Sequence, residues 1–91
     1  MITNIVLDEN GEADVDATIL KIHDLLEYKK MGIDQRKEIW KAVLNKLQKD
    51  GKIGELGYDD ELKQYYFSYY DNGNKQGHGV ISLKDFEPYF N

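Results

Sequence analysis

The 91-residue sequence predicts an α+β fold in a single domain, residues 1–91, with a two-helix hairpin packed on a small antiparallel β-sheet. Two segments of the first half repeat apolar residues at three- and four-residue spacing, which is typical of amphipathic helices. The second half combines glycines with aromatic and β-branched runs, which favours strands joined by turns. Hydrophobic residues make up 41% of the chain and charged residues 32%, a balance typical of a globular domain.

The first third of the chain predicts a short strand, an acidic turn and a helix. Residues 3–7 are β-branched and apolar, which favours an edge strand. The next segment, DENGEADVD, holds five carboxylates in nine residues and ends at a helix cap, either Asp14 or Asp16. The periodic apolar residues that follow predict one continuous helix over 17–30, which Gly32 ends.

The clearest helix covers 34–50 and carries the single tryptophan. Asp34 is predicted to cap its first N–H groups, and Gly51 to end it in a left-handed turn that brings Ile53 back against its last apolar turn. Its apolar residues recur at helical spacing, so we expect them in the core: Ile39, Trp40, Val43, Leu44 and Leu47.

The second half predicts a sheet. A short strand is expected near 52–56, where glycines exclude a continued helix. The run LKQYYFSYY over 62–70 fits either a helix or a strand, and we interpret it as a strand. A glycine-rich connection over 72–79 and a β-branched run over 80–83 would complete a hairpin with it. Three aromatic residues are expected to cover the end of the core: Phe86, Tyr89 and Phe90.

Composition restricts the function classes. The absence of cysteine excludes disulfides, thiol nucleophiles and zinc–thiolate sites, and the expected location is cytoplasmic. No apolar run approaches the ~20 residues of a membrane span, and the first residues lack the pattern of a signal peptide. Because Ser68 and Ser82 lie outside nucleophile motifs and the two histidines stand in unrelated settings, we expect neither an enzyme nor a cofactor.

The net charge of −5 is unevenly distributed. Residues 1–28 hold seven acids and one base, residues 29–52 eight bases and three acids, and residues 53–91 seven acids and three bases. The basic middle segment predicts a polar stripe opposite the apolar stripe of helix 34–50, with side chains suited to phosphate and base-edge contacts: Lys37, Lys41, Asn45 and Gln48.

A basic amphipathic helix ending in KDGKI, followed by a strand and a hairpin, resembles the recognition helix and wing of winged-helix DNA-binding domains. The resemblance implies a DNA-binding regulator that uses helix 34–50. Three helices usually precede the wing in that family, whereas this sequence predicts two.

Two segments resemble the EF-hand calcium loop. NKQGHGVISLKDF over 74–86 has a glycine, an isoleucine and an aspartate in the order of the pattern, and DENGEADVDATI over 8–19 is similar to its first half. The resemblance implies a calcium-binding protein. Segment 74–86 departs from the pattern at four of its ligand positions: Asn74, Gln76, His78 and Asp85. Segment 8–19 has Ala13 in place of the turn glycine and Ile19 in place of the closing acid, so no metal ligand is predicted.

Aromatic content favours an interaction module. Seven tyrosines, one tryptophan and three phenylalanines exceed what a small core can fully bury, and exposed aromatic side chains are typical of protein interfaces. We interpret Tyr66 and Tyr70 as partner-binding candidates; the alternative is that the tyrosines are sheet residues with hydrated hydroxyls. The predicted function is a small acidic, non-catalytic regulatory module that binds a macromolecule, with protein favoured over nucleic acid and no membrane partner.

Overall fold

The computed structural model describes residues 5–71, 74–84 and 89–90, and confirms the α+β class. Within these residues three helices precede four strands. The helices are α1 (Val15–His23), α2 (Leu26–Lys30) and α3 (Ile33–Lys49). The strands are β1 (Ile53–Asp59), β2 (Gln64–Asp71), β3 (Asn74–Ser82) and the two-residue β4 (Tyr89–Phe90). All four strands belong to one antiparallel sheet in the order β1-β2-β3-β4, so β1 is an edge strand.

The continuous helix predicted over 17–30 is wrong, because the chain leaves helical geometry at Leu25. Leu25 is extended, with ψ 131°, and α2 starts at the next residue. In an unbroken helix of roughly 3.6 residues per turn, Tyr28 would lie about half a turn out of phase with Ile19. The break allows both side chains to be fully buried in one core.

The helix starts confirm one predicted cap and correct another. Asp14 is the N-cap of α1, and its carboxylate accepts a hydrogen bond from the N–H of Ala17 at 3.1 Å, which decides between Asp14 and Asp16. The prediction that Asp34 caps α3 is wrong, because that helix begins at Ile33 with Gly32 as N-cap. Asp34 lies in the first turn instead, where the helix dipole favours a carboxylate.

Gly51 ends α3 as predicted. Its φ of 77° is left-handed, and its N–H donates to the carbonyl of Gln48 at 3.0 Å. The N–H of Lys52 donates to the carbonyl of Leu47 at 2.9 Å, and these two bonds together form a Schellman cap. The chain therefore reverses at once, and Ile53 starts β1 inside the core.

Trp40 lies at the centre of the helical layer, as its sequence pattern predicts. Its indole N–H donates to the hydroxyl of Tyr28 at 2.8 Å, and its ring lies 5.1 Å from that of His23, between centroids. The buried apolar residues come from α1, α2, α3 and all three long strands, and Leu83 follows β3: Val15, Ile19, Ile22, Tyr28, Trp40, Val43, Leu44, Leu47, Ile53, Tyr65, Phe67, Ile81 and Leu83. Ile39, the remaining predicted core residue, is half-buried against this cluster.

Arg36 joins three parts of the fold. It is the single arginine of the sequence and is only 7% exposed. Its guanidinium donates to the carbonyl oxygens of Tyr28 at 3.3 Å, Lys29 at 3.3 Å and Leu83 at 2.8 Å. It also lies 4.8 Å from the centroid of the Tyr28 ring. The charge is therefore satisfied by main-chain oxygens of α2 and of the residue after β3.

The sheet confirms that the run predicted over 62–70 forms a strand, which covers Gln64–Asp71, while residues 62–63 lie in the turn before it. The other two long strands exceed their predicted lengths. β1 reaches Asp59, and β3 already begins at Asn74, so the glycine-rich connection predicted over 72–79 is wrong. Gly79 lies inside β3 because the ring of Phe67 on β2 occupies the space that a Cβ would need. Residues 72–73 and 85–88 lie outside the described residues, and so does the predicted position of Phe86.

The segment before α1 is held by a bridge and by hydrogen bonds, among them the bond from the N–H of Asp14 to the carbonyl of Val6 at 2.8 Å. Leu7 forms a single antiparallel bridge with Ala13, and the N–H of Val6 donates to the hydroxyl of Thr18 at 2.9 Å. Residues 3–4 of the predicted edge strand lie outside the described part of the chain. The described remainder, residues 5–7, is not one of the four strands of the sheet.

We expect Arg36→Met to lower the free energy of unfolding by about 2–4 kcal/mol, because buried carbonyl oxygens lose charged donors that the thioether cannot replace. Urea unfolding at neutral pH measures the loss. Lys41→Met, at an exposed position of the same helix, is the matched control and should change stability by less than about 0.5 kcal/mol. Equal stability of the two variants would contradict the bracing role of Arg36.

We expect the raised pKa of the buried Tyr65 hydroxyl to cause a loss of stability at alkaline pH. Burial raises the pKa of Tyr65 to about 12 from its ordinary value of 10.0, and the charges of Tyr58 and Glu38 add to the effect. The unfolded chain therefore ionises first. The contribution of Tyr65 to stability is complete below pH 10 and is lost as the pH rises towards 12.

Urea unfolding at about pH 8 and about pH 11 tests this expectation. Tyr65→Phe should reduce the alkaline decrease in the free energy of unfolding, although it also removes the hydrogen bond from the Tyr65 hydroxyl to the carbonyl of Lys37, 3.0 Å long. Tyr66→Phe removes an exposed hydroxyl and serves as control. If Tyr65→Phe and the unsubstituted chain lose the same stability between the two pH values, the prediction fails.

Candidate functional site

The sheet has one face on the helices and one face that solvent reaches. Tyr65 opposite Ile81 and Phe67 opposite Gly79 belong to the face that contributes to the core. Because side chains alternate along a strand, their neighbours point the other way. This outer face carries two cross-strand pairs of β2 and β3, Tyr66 with Val80 and Ser68 with His78.

Two tyrosines of the outer face lie across glycines of β1. The ring of Tyr66 occupies the space above Gly57, and the ring of Tyr70 occupies the space above Gly54, so a Cβ at either glycine would collide with the ring. Glycine is required here for the close approach of a side chain, and the aromatic ring covers the bare backbone in return. Tyr66 nevertheless stays 48% exposed, whereas Tyr70 is half-buried.

A cleft of about 390 Å³ opens beside Tyr70, between the end of β2 and the turn that precedes α1. We call it the acidic cleft, because four acidic residues and one lysine line it together with Tyr70: Asp8, Glu12, Asp14, Asp16, Lys52 and Tyr70. Tyr70 thus borders both the outer face and the acidic cleft.

Local hydrogen bonds fix the carboxylates of the acidic cleft. Asp8 accepts from the N–H groups of Asn10 and Glu12, each at 2.9 Å, so its side chain shapes the turn. Glu12 pairs with Lys52 at 3.2 Å. Desolvation raises the pKa of the Asp16 carboxyl, and repulsion from Asp14 raises it further. Because four acidic residues and one lysine line the cleft, it carries an excess of negative charge at neutral pH.

The sequence predicts that the polar stripe of helix 34–50 lies opposite the apolar stripe. In the structure part of the polar stripe faces β1 instead. The ammonium of Lys37 lies 4.5 Å from the centroid of the Tyr58 ring, and the amide of Gln48 donates to the carbonyl of Gly54 at 2.7 Å. Lys41 is exposed. Asn45, the remaining stripe residue, is exposed as well.

The structure therefore separates the residues proposed from sequence into two groups. Tyr66 and Tyr70 share the outer sheet face, whereas the helical stripe borders the edge of the sheet at β1. The sequence does not reveal that Gly54 and Gly57 make room for the rings of Tyr70 and Tyr66. Their spacing of three residues in IGELGYD was the available signal, but the register of β1 on β2 was needed to use it.

The described residues of segment 74–86 do not support its resemblance to a calcium loop. Asn74–Ser82 is a strand paired with β2 along its length, so it cannot also be a loop that wraps an ion. In the first segment Ile19, at the closing position, is fully buried. Over residues 5–71, 74–84 and 89–90 there is no group of three or more His, Asp or Glu side chains that could hold a metal.

Ser68 and His78 are cross-strand neighbours, a pairing that the sequence analysis did not anticipate. Ser68 is only 1% exposed, and its hydroxyl accepts a hydrogen bond from the N–H of Glu55 at 2.9 Å. That bond supports the irregularity of β1 between Ile53 and Leu56. The serine hydroxyl is therefore buried in the sheet and not presented to a substrate.

The described helices are all too short or too polar to cross a bilayer. No protein-family model, curated protein or solved structure matches the chain.

Proposed function

We propose that the chain is a small, non-catalytic regulatory module that binds a partner protein through its outer sheet face, centred on Tyr66. The observation that carries the proposal is the ring of Tyr66, which lies across Gly57 and still keeps 48% of its surface exposed. A ring held by its own sheet loses little conformational freedom on binding, and tyrosine is enriched among the residues that dominate binding energy.

The surroundings of Tyr66 support a docking surface. Val80, opposite it on β3, is half-buried, and Tyr70 extends the aromatic surface along β2. His78 adds an exposed polar group on the same face. An aromatic centre with polar groups at its border is the usual arrangement of a protein interface.

The non-catalytic part of the proposal rests on the placement of the reactive groups. Ser68 is buried and hydrogen-bonded within the sheet. His23 is packed against the rings of Tyr28 and Trp40, with centroids 5.0 Å and 5.1 Å away. Neither group is available to a substrate in this arrangement, and the cytoplasmic location stays a prediction from composition.

We expect Tyr66→Ala to abolish retention of the partner when the purified chain is used for affinity capture from its cells of origin. Leu20→Ala is the matched control, since Leu20 is 50% exposed on α1 and loses apolar surface away from the sheet. Val80→Thr provides a second probe of the face, because threonine keeps the shape of valine and leaves the Tyr66 ring on Gly57. Retained proteins are identified by mass spectrometry, and thermal unfolding checks that each variant is folded.

A photoreactive phenylalanine analogue at position 66 localises the contact. It should form a discrete adduct with the retained protein, and the same group at position 20 should form none. If Tyr66→Ala retains what the unsubstituted chain retains, the outer face is not the docking surface.

DNA binding through helix 34–50 is a second candidate function. Winged-helix domains usually have three helices before the wing, and the sequence alone predicts only two. The structure has three helices before the antiparallel strands, which favours this candidate. Lys41 and Asn45 are exposed, whereas Lys37 and Gln48 contact β1. The second candidate therefore depends mainly on Lys41 and Asn45.

If this second candidate holds, Lys41→Glu should weaken binding to duplex DNA at low salt and reduce the dependence of affinity on salt. Fluorescence anisotropy with a labelled duplex measures both quantities. Lys21→Glu, an equal charge reversal at an exposed position of α1, is the control. A chain that shows no affinity for the duplex at low salt excludes this candidate.

A further inference from the structure

We infer that the partner docked on the outer sheet face is a basic protein, and that one of its lysine or arginine side chains enters the acidic cleft beside Tyr70. The inference rests on the proposed function, because it names the chemistry of the partner that the same surface takes. Its evidence is the continuity of an aromatic face with a cleft of opposite charge to such a side chain.

The cleft and the face form one continuous surface through Tyr70. The ring of Tyr70 lies across Gly54 on the outer face, and Tyr70 is also one of the residues that line the cleft. A chain that covers Tyr66 therefore has the mouth of the cleft within reach along β2. An arginine guanidinium or lysine ammonium at that mouth lies between the aromatic outer face and the carboxylates of the cleft, and cations bind both kinds of group.

The charge of the cleft selects a cation. Four carboxylates face a single ammonium, that of Lys52, which is already paired with Glu12 at 3.2 Å. The chain as a whole is acidic, with a net charge of −5 and an isoelectric point near 4.9. Charge of one sign in a cleft attracts the oppositely charged surface during encounter and repels acidic competitors.

The dimensions of the cleft favour a side chain over a bare metal ion. Its volume of about 390 Å³ is many times the ~10–15 Å³ that a cavity needs in order to hold one water molecule. Asp14 is engaged as the cap of α1, and Asp8 accepts from two N–H groups of its own turn. The carboxylates are thus spread around the walls, and among the described residues they form no group that could hold a metal.

A defined peptide tests the chemistry directly. The probe is an acetylated and amidated five-residue peptide with two arginines among glycines, and its partner probe carries citrulline, the neutral analogue of arginine, in both places. Titration of the ¹⁵N-labelled chain at about 20 mM ionic strength should shift the amide signals of the acidic cleft and of Tyr70 with the arginine peptide. The citrulline peptide should bind at least about fivefold more weakly than the arginine peptide.

Glu12→Gln combined with Asp16→Asn removes two charges from the cleft and keeps the side-chain shapes. This double variant should bind the arginine peptide about fivefold more weakly. The control is Glu27→Gln combined with Glu38→Gln, an equal change of charge at exposed helical positions, and it should leave the affinity within about twofold. Equal affinity for both peptides, or equal effects of the two double variants, would overturn the inference.

The natural partner separates this inference from the proposed function. If Tyr66→Ala loses the captured protein and the cleft double variant keeps it at unchanged salt dependence, the outer face is the docking surface and the basic partner is wrong. If both variants keep it, the proposed function itself fails. Loss in both variants, with a captured protein whose affinity falls as salt rises, supports the two together.

Discussion

The guanidinium of Arg36 lies in the interior and joins the helical layer to the sheet. It donates to carbonyl oxygens of Tyr28 and Lys29 on α2 and of Leu83 just after β3. Because a buried cation is costly unless its hydrogen bonds are made, the positions of α2, α3 and the end of β3 depend on one another. The break at Leu25 serves the same arrangement, since it places the α2 carbonyls beside Arg36 and the Tyr28 ring in the core.

Several residues that the sequence predicts as a binding site instead contact the edge strand β1. Lys37 lies over Tyr58, Gln48 donates to Gly54, and Tyr70 covers the same glycine. An edge strand needs such cover, because unpaired backbone groups and bare glycines invite contact with other chains. Tyr66 differs from these residues. It covers Gly57 and still exposes about half of its surface, so its structural role leaves area for a partner.

The periodicity of the sequence predicts elements that local residues determine. It does not predict features that depend on contacts between distant residues. The apolar stripe of α3, its end at Gly51 and the presence of a strand in the run 62–70 follow from spacing and turn chemistry, and all three are confirmed, the strand over Gln64–Asp71. The break of the first helix lies in a segment without glycine or proline, and it is accompanied by contacts of Tyr28 with Trp40 and Arg36 that the local sequence does not indicate. The burial of Arg36 likewise depends on the carbonyl of Leu83, 47 residues away.

The site was predictable to the same extent. Alternation along β2 is enough to place Tyr66 and Tyr70 on one face, but their exposure depends on which β1 residues lie opposite. The acidic turn was visible as a run of carboxylates, whereas its position beside Tyr70 required the folded chain. Sequence alone therefore yields the residue types of the surface and not their grouping.

The acidic turn reaches the basic segment at Lys52, beyond the end of α3, through its pair with Glu12. Both side chains of that pair are partly exposed, so it contributes little to stability and neutralises only one carboxylate of the cleft. Lys41 remains exposed on α3. The molecule thus presents a negative surface beside the outer sheet face and a positive one on the helix, and a charged partner would be oriented by this difference before contact.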